Sequence, residues 1–205
     1  MKKKLLIMGG ALACLAGVGG IMAYFTDTDD AVNNFVIGKI DIDLEEPNWT
    51  EPENILPNQT IAKDPQVENV GVNDAFIFLE VEVPYKNVVT ANANGTKNAA
   101  ADTELFSYVL NTGWVEIGEA VKANGVVTHL YAYGTDVAMT ALAANATTPA
   151  LFTNVTFANV IEGEDLETTT QTINVKAYGI QTTNVNGGVT DPVAVWAVIN
   201  NQVKN

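Results

Sequence analysis

The stretch AFIFLEVEVPY, residues 75–85, decides the fold of this 205-residue chain. Four aliphatic side chains recur at every second position of it: Ile77, Leu79, Val81 and Val83. Glu80 and Glu82 occupy positions between them and mark a wet face. Alternation with a period of two is typical of a strand that buries one face. The stretch therefore predicts a long β-strand packed against a core.

Several other stretches share this alternation or the β-branched and aromatic content of strands. These strand-like runs are residues 39–46, 60–71, 113–123, 126–134, 151–161 and 170–183. Asn124-Gly125 lies between two of the runs and is the residue pair that a type I′ hairpin turn favours. About seven or eight strands in one domain predict an all-β fold, a β-sandwich of jelly-roll type.

Two stretches depart from the strand pattern and predict short helices. Residues 102–111, DTELFSYVLN, would begin at a cap formed by Asp102 or Thr103. Residues 191–202, DPVAVWAVINNQ, would have Asp191 as the cap and Pro192 in the first helical position. We therefore expect one or two short helices beside the sandwich.

The amino terminus has the pattern of a secretory signal peptide. Three lysines at residues 2–4 precede an uncharged run over residues 5–25, which contains many small residues. We expect cleavage between Ala23 and Tyr24. The chain would then comprise a signal peptide (1–23), an amino-terminal segment (24–45) and a sandwich domain (46–205).

Two other interpretations of this terminus remain open. An uncharged run of about 20 residues is long enough to be an uncleaved membrane anchor. Cys14 could instead be the modified cysteine of a lipoprotein. Cleavage after Ala23 would remove Cys14, the one cysteine of the chain. An exported domain without disulfides needs a sizeable core to be stable.

The charge of the chain excludes several classes of partner. The formal net charge is −14, and every basic side chain other than His129 is a lysine. An acidic surface repels phosphate backbones, so we expect no nucleic-acid partner. Anionic membrane surfaces are disfavoured for the same reason. Acidic subunits also repel one another, and divalent cations would reduce that repulsion by screening or bridging.

The residues needed for catalysis are scarce. His129 is the one histidine and Ser107 the one serine of the chain, and the HExxH motif is absent. A catalytic zinc needs three protein ligands, and a Ser–His–Asp triad needs an accessible serine beside a histidine. A lone histidine within a strand is more often structural than a metal ligand. We therefore expect no enzyme activity, no catalytic residue and no cofactor.

Two acidic clusters raise the alternative of calcium binding, because clustered carboxylates suit a hard cation. The first cluster contains Asp27, Asp29 and Asp30. The second contains Glu162, Glu164, Asp165 and Glu167. Neither cluster has the spacing of an EF-hand loop, so solvated loop charge is the favoured interpretation.

The amino-terminal half of the chain resembles a known family. The signal peptide ends in AYFTDTD (23–29), NNFVIGKIDIDL (33–44) follows, and LPNQTIAKDPQVENVGVNDAFIFLEVEV (56–83) forms a second block. Together these blocks resemble the TasA/camelysin family of secreted biofilm-matrix fibre proteins, which are processed by a dedicated endoplasmic-reticulum-type signal peptidase. The resemblance is specific over residues 1–45, fair over 56–83 and weak beyond.

The resemblance implies a location and a set of partners. It implies a jelly-roll subunit secreted into the extracellular matrix, or onto the cell surface, of a Gram-positive bacterium. The implied partners are other copies of the same chain in a head-to-tail fibre, other matrix or cell-surface proteins, and the signal peptidase during export. Camelysins have also been classed as metalloproteases, but the sequence offers no residues for that activity.

The resemblance further implies that the processed amino-terminal segment is donated as a strand to the next subunit. Residues 34–45 suit this role because their alternating apolar side chains could fill pockets: Phe35, Ile37, Ile40, Ile42 and Leu44. Burying four or five such side chains would gain about 10 kcal/mol before entropy and charge repulsion are subtracted. We therefore expect polymerisation to depend on acid, salt or divalent ions. The alternative is that residues 34–45 form the first strand of their own sandwich.

A different class of function remains as a rival. Jelly rolls also serve as surface adhesins and carbohydrate-binding modules, and a fold does not determine a function. Four aromatic residues could line a sugar site if they were exposed: Trp49, Trp114, Tyr131 and Tyr133. Placement of these side chains in the core is the favoured expectation.

Overall fold

The structure is a computed structural model in which residues 39–52 and 54–203 are described. Within these ranges the chain forms short and long strands followed by one helix. The elements are β1 (Ile42–Glu45), β2 (Thr60–Ala62), β3 (Gln66–Asn69), β4 (Ala75–Val88), β5 (Ala101–Glu104), β6 (Phe106–Ser107), β7 (Trp114–Glu116), β8 (Val121–Ala123), β9 (Val126–Tyr133), β10 (Asn154–Phe157), β11 (Asn174–Gln181) and α1 (Pro192–Val203).

Strand β4 is the centre of the fold because it pairs along both edges. β11 is antiparallel to it on one side and β9 on the other. The four side chains predicted to share a face are fully buried: Ile77, Leu79, Val81 and Val83. The prediction of a long core strand at residues 75–85 is therefore confirmed.

The opposite face of β4 is only partly exposed to solvent. Glu80 and Glu82 are half-buried there, and both bind Lys176 of β11. Phe76 and Phe78 are buried on this face, because α1 covers them. The alternation of polar and apolar residues did not predict this second apolar contact.

The strands form two layers. The first layer is a six-stranded antiparallel sheet in the order β11-β4-β9-β7, with β5 also paired to β4 and β8 to β9. The second layer contains the sheet β2-β10-β6 and the pair β1-β3. Backbone hydrogen bonds along residues 145–157 connect the two parts of the second layer. The N–H of Thr148 donates to the carbonyl of Val67, and the N–H of Lys63 donates to the carbonyl of Thr153.

The main core lies between these layers, and a second core lies between the first layer and α1. Phe152, Leu151 and Val155 of the second layer are buried with the inner side chains of β4. Val195 and Ile199 of α1 are buried with Phe76 and Phe78 on the other side of the first layer. The all-β prediction, a sandwich of jelly-roll type built from curled antiparallel sheets, is confirmed.

One of the two predicted helices is confirmed and the other is wrong. At the confirmed helix, the Asp191 carboxylate accepts a hydrogen bond of 2.8 Å from the N–H of Ala194, and Pro192 is the first helical residue. Residues 102–111 instead contain β5 and β6. Pairing of Thr103 with Lys86 of β4, and of Phe106 with Phe157 of β10, overrides the local helical pattern.

The hairpin predicted at Asn124-Gly125 is confirmed. Both residues have positive φ, 51° and 84°, as a type I′ turn requires. The turn connects β8 to β9, which pair antiparallel on either side of it.

Candidate functional site

The described part of the predicted donor segment is a strand of its own subunit. Ile42 and Leu44 lie in β1, which pairs antiparallel with β3 of the same chain, with Ile42 opposite Asn69. Just before β1, the carbonyls of Asp41 and Lys39 accept hydrogen bonds from the N–H groups of residues 71 and 72. The pairing corresponds to the alternative that the sequence left open, in which this strand belongs to its own sandwich.

The remaining residues of that prediction lie outside the described part of the chain. These residues are the cleavage pair, Ala23 and Tyr24, and the first two donor positions, Phe35 and Ile37. Cleavage at Ala23, the domain boundaries and the donation of the segment therefore stay predictions.

Strand β1 is held against β11 by a close contact at a glycine. A Cβ atom added to Gly179 would lie 3.2 Å and 3.3 Å from the Cγ2 methyls of Ile42 and Ile40. Glycine in the interior of a strand weakens the strand and commonly marks a close approach. Gly179 therefore provides the space in which the two isoleucines pack.

The contact between β1 and β11 opens into a groove beyond Ile42. Leu44 is 37% exposed. It lines a shallow groove of about 500 Å³ together with Ile173, Val175 and Lys63. The lining of the groove is mixed, because these apolar side chains stand beside polar ones that include Lys63, which is only 6% exposed.

The two strands beside this groove are both terminal in their sheets. β11 ends the order of the six-stranded sheet, and β1 ends the second layer. Among the described residues, the outer edges of β1 and β11 have no strand partner, and such edges are templates for another chain. We call this side of the sandwich the open edge: β1 and β11 with Leu44, Ile173 and Val175 between them.

The chain that leaves β1 is fixed by two adjacent buried charges. The Lys63 ammonium group donates to Glu46 at 2.6 Å and lies 4.9 Å from the ring centroid of Trp49. The Asp64 carboxylate, 5% exposed, accepts hydrogen bonds from the backbone N–H of Asn48 at 3.0 Å and from its side-chain amide at 2.6 Å. We call these five residues the clamp.

The opposite side of the sandwich is joined by hydrogen bonds between the layers. The hydroxyls of Tyr108, which follows β6, and Tyr131 of β9 are 2.9 Å apart. The Trp114 indole N–H of β7 donates at 2.9 Å to the Pro149 carbonyl. We call this side the closed edge: β6, β7 and β9 with Tyr108, Trp114 and Tyr131. Its terminal strands are short, since β6 has two residues and β7 three.

Tyr131 is buried and Tyr108 is half-buried, and this burial changes the acidity of both phenols. Burial raises the pKa of the Tyr108 phenol, and the nearby carboxylates of Glu104 and Glu116 act in the same direction. Burial likewise raises the pKa of Tyr131, with a further contribution from Tyr108. Both phenols therefore stay neutral hydrogen-bonding groups at physiological pH.

His129 belongs to this closed edge. Its Nδ1 lies 2.7 Å from Glu116 Oε1, and its Nε2 lies 3.1 Å from Glu104 Oε2. The two carboxylates approach opposite sides of the ring and connect β5, β7 and β9 through one side chain. This placement agrees with the structural role expected for a lone strand histidine.

The second acidic cluster lies in a loop that is held by hydrogen bonds within the loop and from Lys86. The Glu167 carboxylate accepts hydrogen bonds from the N–H groups of Gly163 and Leu166, which lowers its pKa. Lys86 donates to the carbonyls of Glu164 and Asp165. The first cluster, at residues 27–30, lies outside the described part of the chain. Calcium binding is untested and stays a prediction.

The four aromatic residues considered for a sugar site do not share one surface. Trp114 and Tyr131 are buried at 7% and 2% exposure, and Tyr133 is half-buried. Trp49 is 40% exposed and stacks over Lys63 at the open edge. The expectation of core placement is therefore right for Trp114 and Tyr131.

Sequence reasoning missed the clamp and the packing at Gly179. The clamp joins residues 14 to 17 positions apart in the sequence, and no local pattern indicates such a pairing. Gly179 did carry a signal, because a glycine inside the strand-like run INVKAYGIQ indicates that another segment of backbone or side chain approaches closely.

Comparison with known proteins identifies one related family. The family model described as camelysin metallo-endopeptidase matches residues 1–113. No curated protein and no solved structure matches the chain significantly. Among the described residues, no helix is long and apolar enough to span a membrane.

The name of that family implies a catalytic metal, which the residues present do not fit. In the described part of the chain, no group of three or more His, Cys, Asp and Glu side chains could hold a metal ion. Both ring nitrogens of His129 already contact carboxylates that lie on opposite sides of the ring. Glu104 and Glu116 therefore cannot share one ion with this histidine.

Proposed function

The chain belongs to the TasA/camelysin family, and on that premise we propose that it is a secreted structural subunit that polymerises into extracellular biofilm-matrix fibres. Each subunit donates its amino-terminal segment as a strand to the next subunit. The contact is head-to-tail and does not close on itself, so its product is a filament. Removal of residues 1–23 by the signal peptidase frees the segment for assembly.

The open edge is the observation that carries this proposal. It places the outer edge of the eight-residue strand β11 beside a groove in which Leu44, Ile173 and Val175 supply the apolar part of the lining. An added strand would satisfy backbone N–H and C=O groups and would place alternate side chains in the groove. The sequence supplies such a strand, because Phe35 and Ile37 alternate just before β1.

Energetics make the assembly conditional. Burial of an aliphatic or aromatic side chain stabilises by about 1.5–3 kcal/mol, and the ordering of the segment offsets part of this gain. Repulsion between the processed subunits opposes association further, because removal of the three lysines at residues 2–4 leaves 7 lysines against 24 acidic residues, a net charge of −17. Acid, salt or divalent cations therefore favour polymerisation by reducing that repulsion.

Electron microscopy tests the proposal directly. The chain that begins at Tyr24 should form filaments at acidic pH, or at neutral pH with salt or divalent cations. The matched control is the same chain beginning at Lys39, which should remain a folded monomer under all these conditions. Absence of filaments from the longer chain, or equally good filaments from the shorter one, would contradict the proposal.

We further propose that the chain is not a peptidase. The support is the set of possible metal ligands, since the single histidine of the chain is held between the carboxylates of Glu104 and Glu116. We expect no chelator-sensitive cleavage of casein by the purified chain. Cleavage that a chelator abolishes, and that the variant His129→Ala lacks, would contradict this expectation.

A further inference from the structure

We propose that β1 is a resident strand of its own subunit and that the transferable segment ends before Lys39. This inference rests on the proposed function and narrows it. In the sequence, the candidate donor extends through Leu44. Ile40, Ile42 and Leu44 belong instead to the receiving subunit, where Ile40 and Ile42 pack against Gly179 and Leu44 lines the groove.

Contacts with the same chain hold β1 along its whole length. Four residue pairs connect it to β3, and the carbonyls of Lys39 and Asp41 accept hydrogen bonds just before it. Ile42 and the preceding Ile40 pack closely on Gly179, where an added Cβ would lie 3.2–3.3 Å from their Cγ2 methyls. If β1 were donated to a neighbouring subunit, it would first have to break all these contacts with its own chain.

The clamp fixes the chain at the point where a swapped β1 would need a hinge. Lys63 and Asp64 are 6% and 5% exposed, and they hold Glu46 and Asn48 directly after β1. Separating such buried groups would leave charges without partners in a poorly hydrated place, which is strongly unfavourable. The link between β1 and β2 is therefore anchored at its beginning.

The short link also favours pairing within one chain. Residues 46–59 connect β1 to β2, so β1 meets its own groove at an effective concentration of about a millimolar or more. A neighbouring copy competes only when its concentration approaches that value. At lower protein concentrations, β1 therefore pairs with its own chain in preference to a neighbouring copy.

The occupant of the groove is then residues 24–38 of a second copy. Fifteen extended residues reach about 50 Å. The diameter expected for a domain of this size is about 40 Å. The segment therefore reaches a neighbouring subunit without any contribution from β1.

Engineered disulfides test the inference. Asp43 and Glu68 are directly opposed in the β1–β3 register, and Glu45 and Gln66 form the next pair on the same outer face. The chain beginning at Tyr24 has no cysteine of its own, so crosslinks report only on the introduced pair. The variants Asp43→Cys/Glu68→Cys and Glu45→Cys/Gln66→Cys are oxidised before and after filament formation, with the single substitutions as controls.

The expected result is a crosslink within one chain in both states. Denaturing gels without reductant should show a single monomer band, and the oxidised monomer should polymerise as well as the reduced one. A ladder of covalent multimers from oxidised filaments, or polymerisation that requires reduction, would overturn the inference while leaving fibre formation intact. Absence of filaments from the unsubstituted chain would instead overturn the proposed function, and this inference with it.

Discussion

The two edges of the sandwich are built in different ways. At the closed edge, short terminal strands lie beside rings that connect the layers by hydrogen bonds, as between Tyr108 and Tyr131. At the open edge, the layers meet through aliphatic contacts on Gly179, and β11 presents eight residues along its outer side. Short edges and covered edges resist further strand pairing, whereas a long free edge invites it. The comparison indicates which side of the subunit is suited to assembly.

The largest effect is expected from removing the buried cation of the open edge. Lys63→Met leaves Glu46 and the face of Trp49 without a partner, and it should lower the free energy of unfolding by about 2–3 kcal/mol. Urea denaturation measures this change. Lys122→Met is the matched control, because Lys122 contacts Asp102 and the Tyr85 ring in the same manner but in an exposed position.

The control variant should change stability little or not at all. A similar loss in both lysine variants would show that burial of the clamp contributes nothing beyond an ordinary surface pair. That outcome would remove the physical reason for regarding β1 as fixed.

The next largest change in stability is expected at the closed edge. Tyr108→Phe removes one hydroxyl of the part-buried pair and leaves the Tyr131 hydroxyl unpartnered, which should destabilise the fold by about 1–2 kcal/mol. Tyr178→Phe is the control, because the Tyr178 hydroxyl lies 3.5 Å from Glu80 and makes at best a weak bond. Equal stability of the Tyr108 variant and the unsubstituted chain in thermal unfolding would contradict the closed-edge account.

The same tyrosines predict the behaviour of the fold in alkali. Because burial raises the pKa of Tyr108 and Tyr131, the folded state holds both protons more tightly than the unfolded state does. Their contribution is complete below about pH 10, the ordinary tyrosine pKa, and is lost as the pH rises above it. Ultraviolet titration should therefore show two tyrosines that ionise only as the protein unfolds.

A smaller and local effect is expected at Gly179. The added atoms in the series Gly179→Ala and Gly179→Val would press on the methyls of Ile40 and Ile42. Overpacking of this kind costs about 1 kcal/mol for the valine, partly offset by its strand preference. Hydrogen exchange of the β1 amides should accelerate from glycine to alanine to valine. Unchanged exchange throughout the series would show that β1 does not depend on this contact.

The smallest effect concerns the outer face of β11. The hydrogen bond from Lys176 lowers the pKa of Glu82, so the pair stabilises the fold above the ordinary glutamate pKa and loses its effect as the pH falls. Lys176 is 52% exposed, and solvent screening limits the contribution to about 0.5 kcal/mol or less. Lys176→Met should show this deficit at pH 7 and none near pH 2. A deficit independent of pH would contradict the ionic explanation.

Local signals predicted the parts of the fold that depend on neighbouring residues. The alternation at Ile77 to Val83, the cap at Asp191 and the turn at Asn124-Gly125 each follow from residues within one element, and each is confirmed. The helix predicted at residues 102–111 is wrong because strand pairing over long distances decides that region. Propensity is a weak guide wherever tertiary contacts compete with it.

The open edge was predictable only in part. The alternating residues Ile40, Ile42 and Leu44 indicated a strand. The pattern could not determine whether that strand pairs within its own subunit or with a neighbouring one. The decisive contacts, Lys63 with Glu46 and Gly179 with Ile42, join residues distant in the sequence. Their effect depends on burial and distance, and neither is encoded in a local pattern.

Hydrogen exchange, compared between filaments and monomers, shows which edge of the sandwich receives the added strand. Amides of Asn174–Gln181 and Ile42–Glu45, at the open edge, should gain protection on assembly, because an added strand covers their outer side. Amides of Trp114–Glu116, at the closed edge, should exchange equally in both states. Protection gained at the closed edge, with β11 and β1 unchanged, would contradict the account.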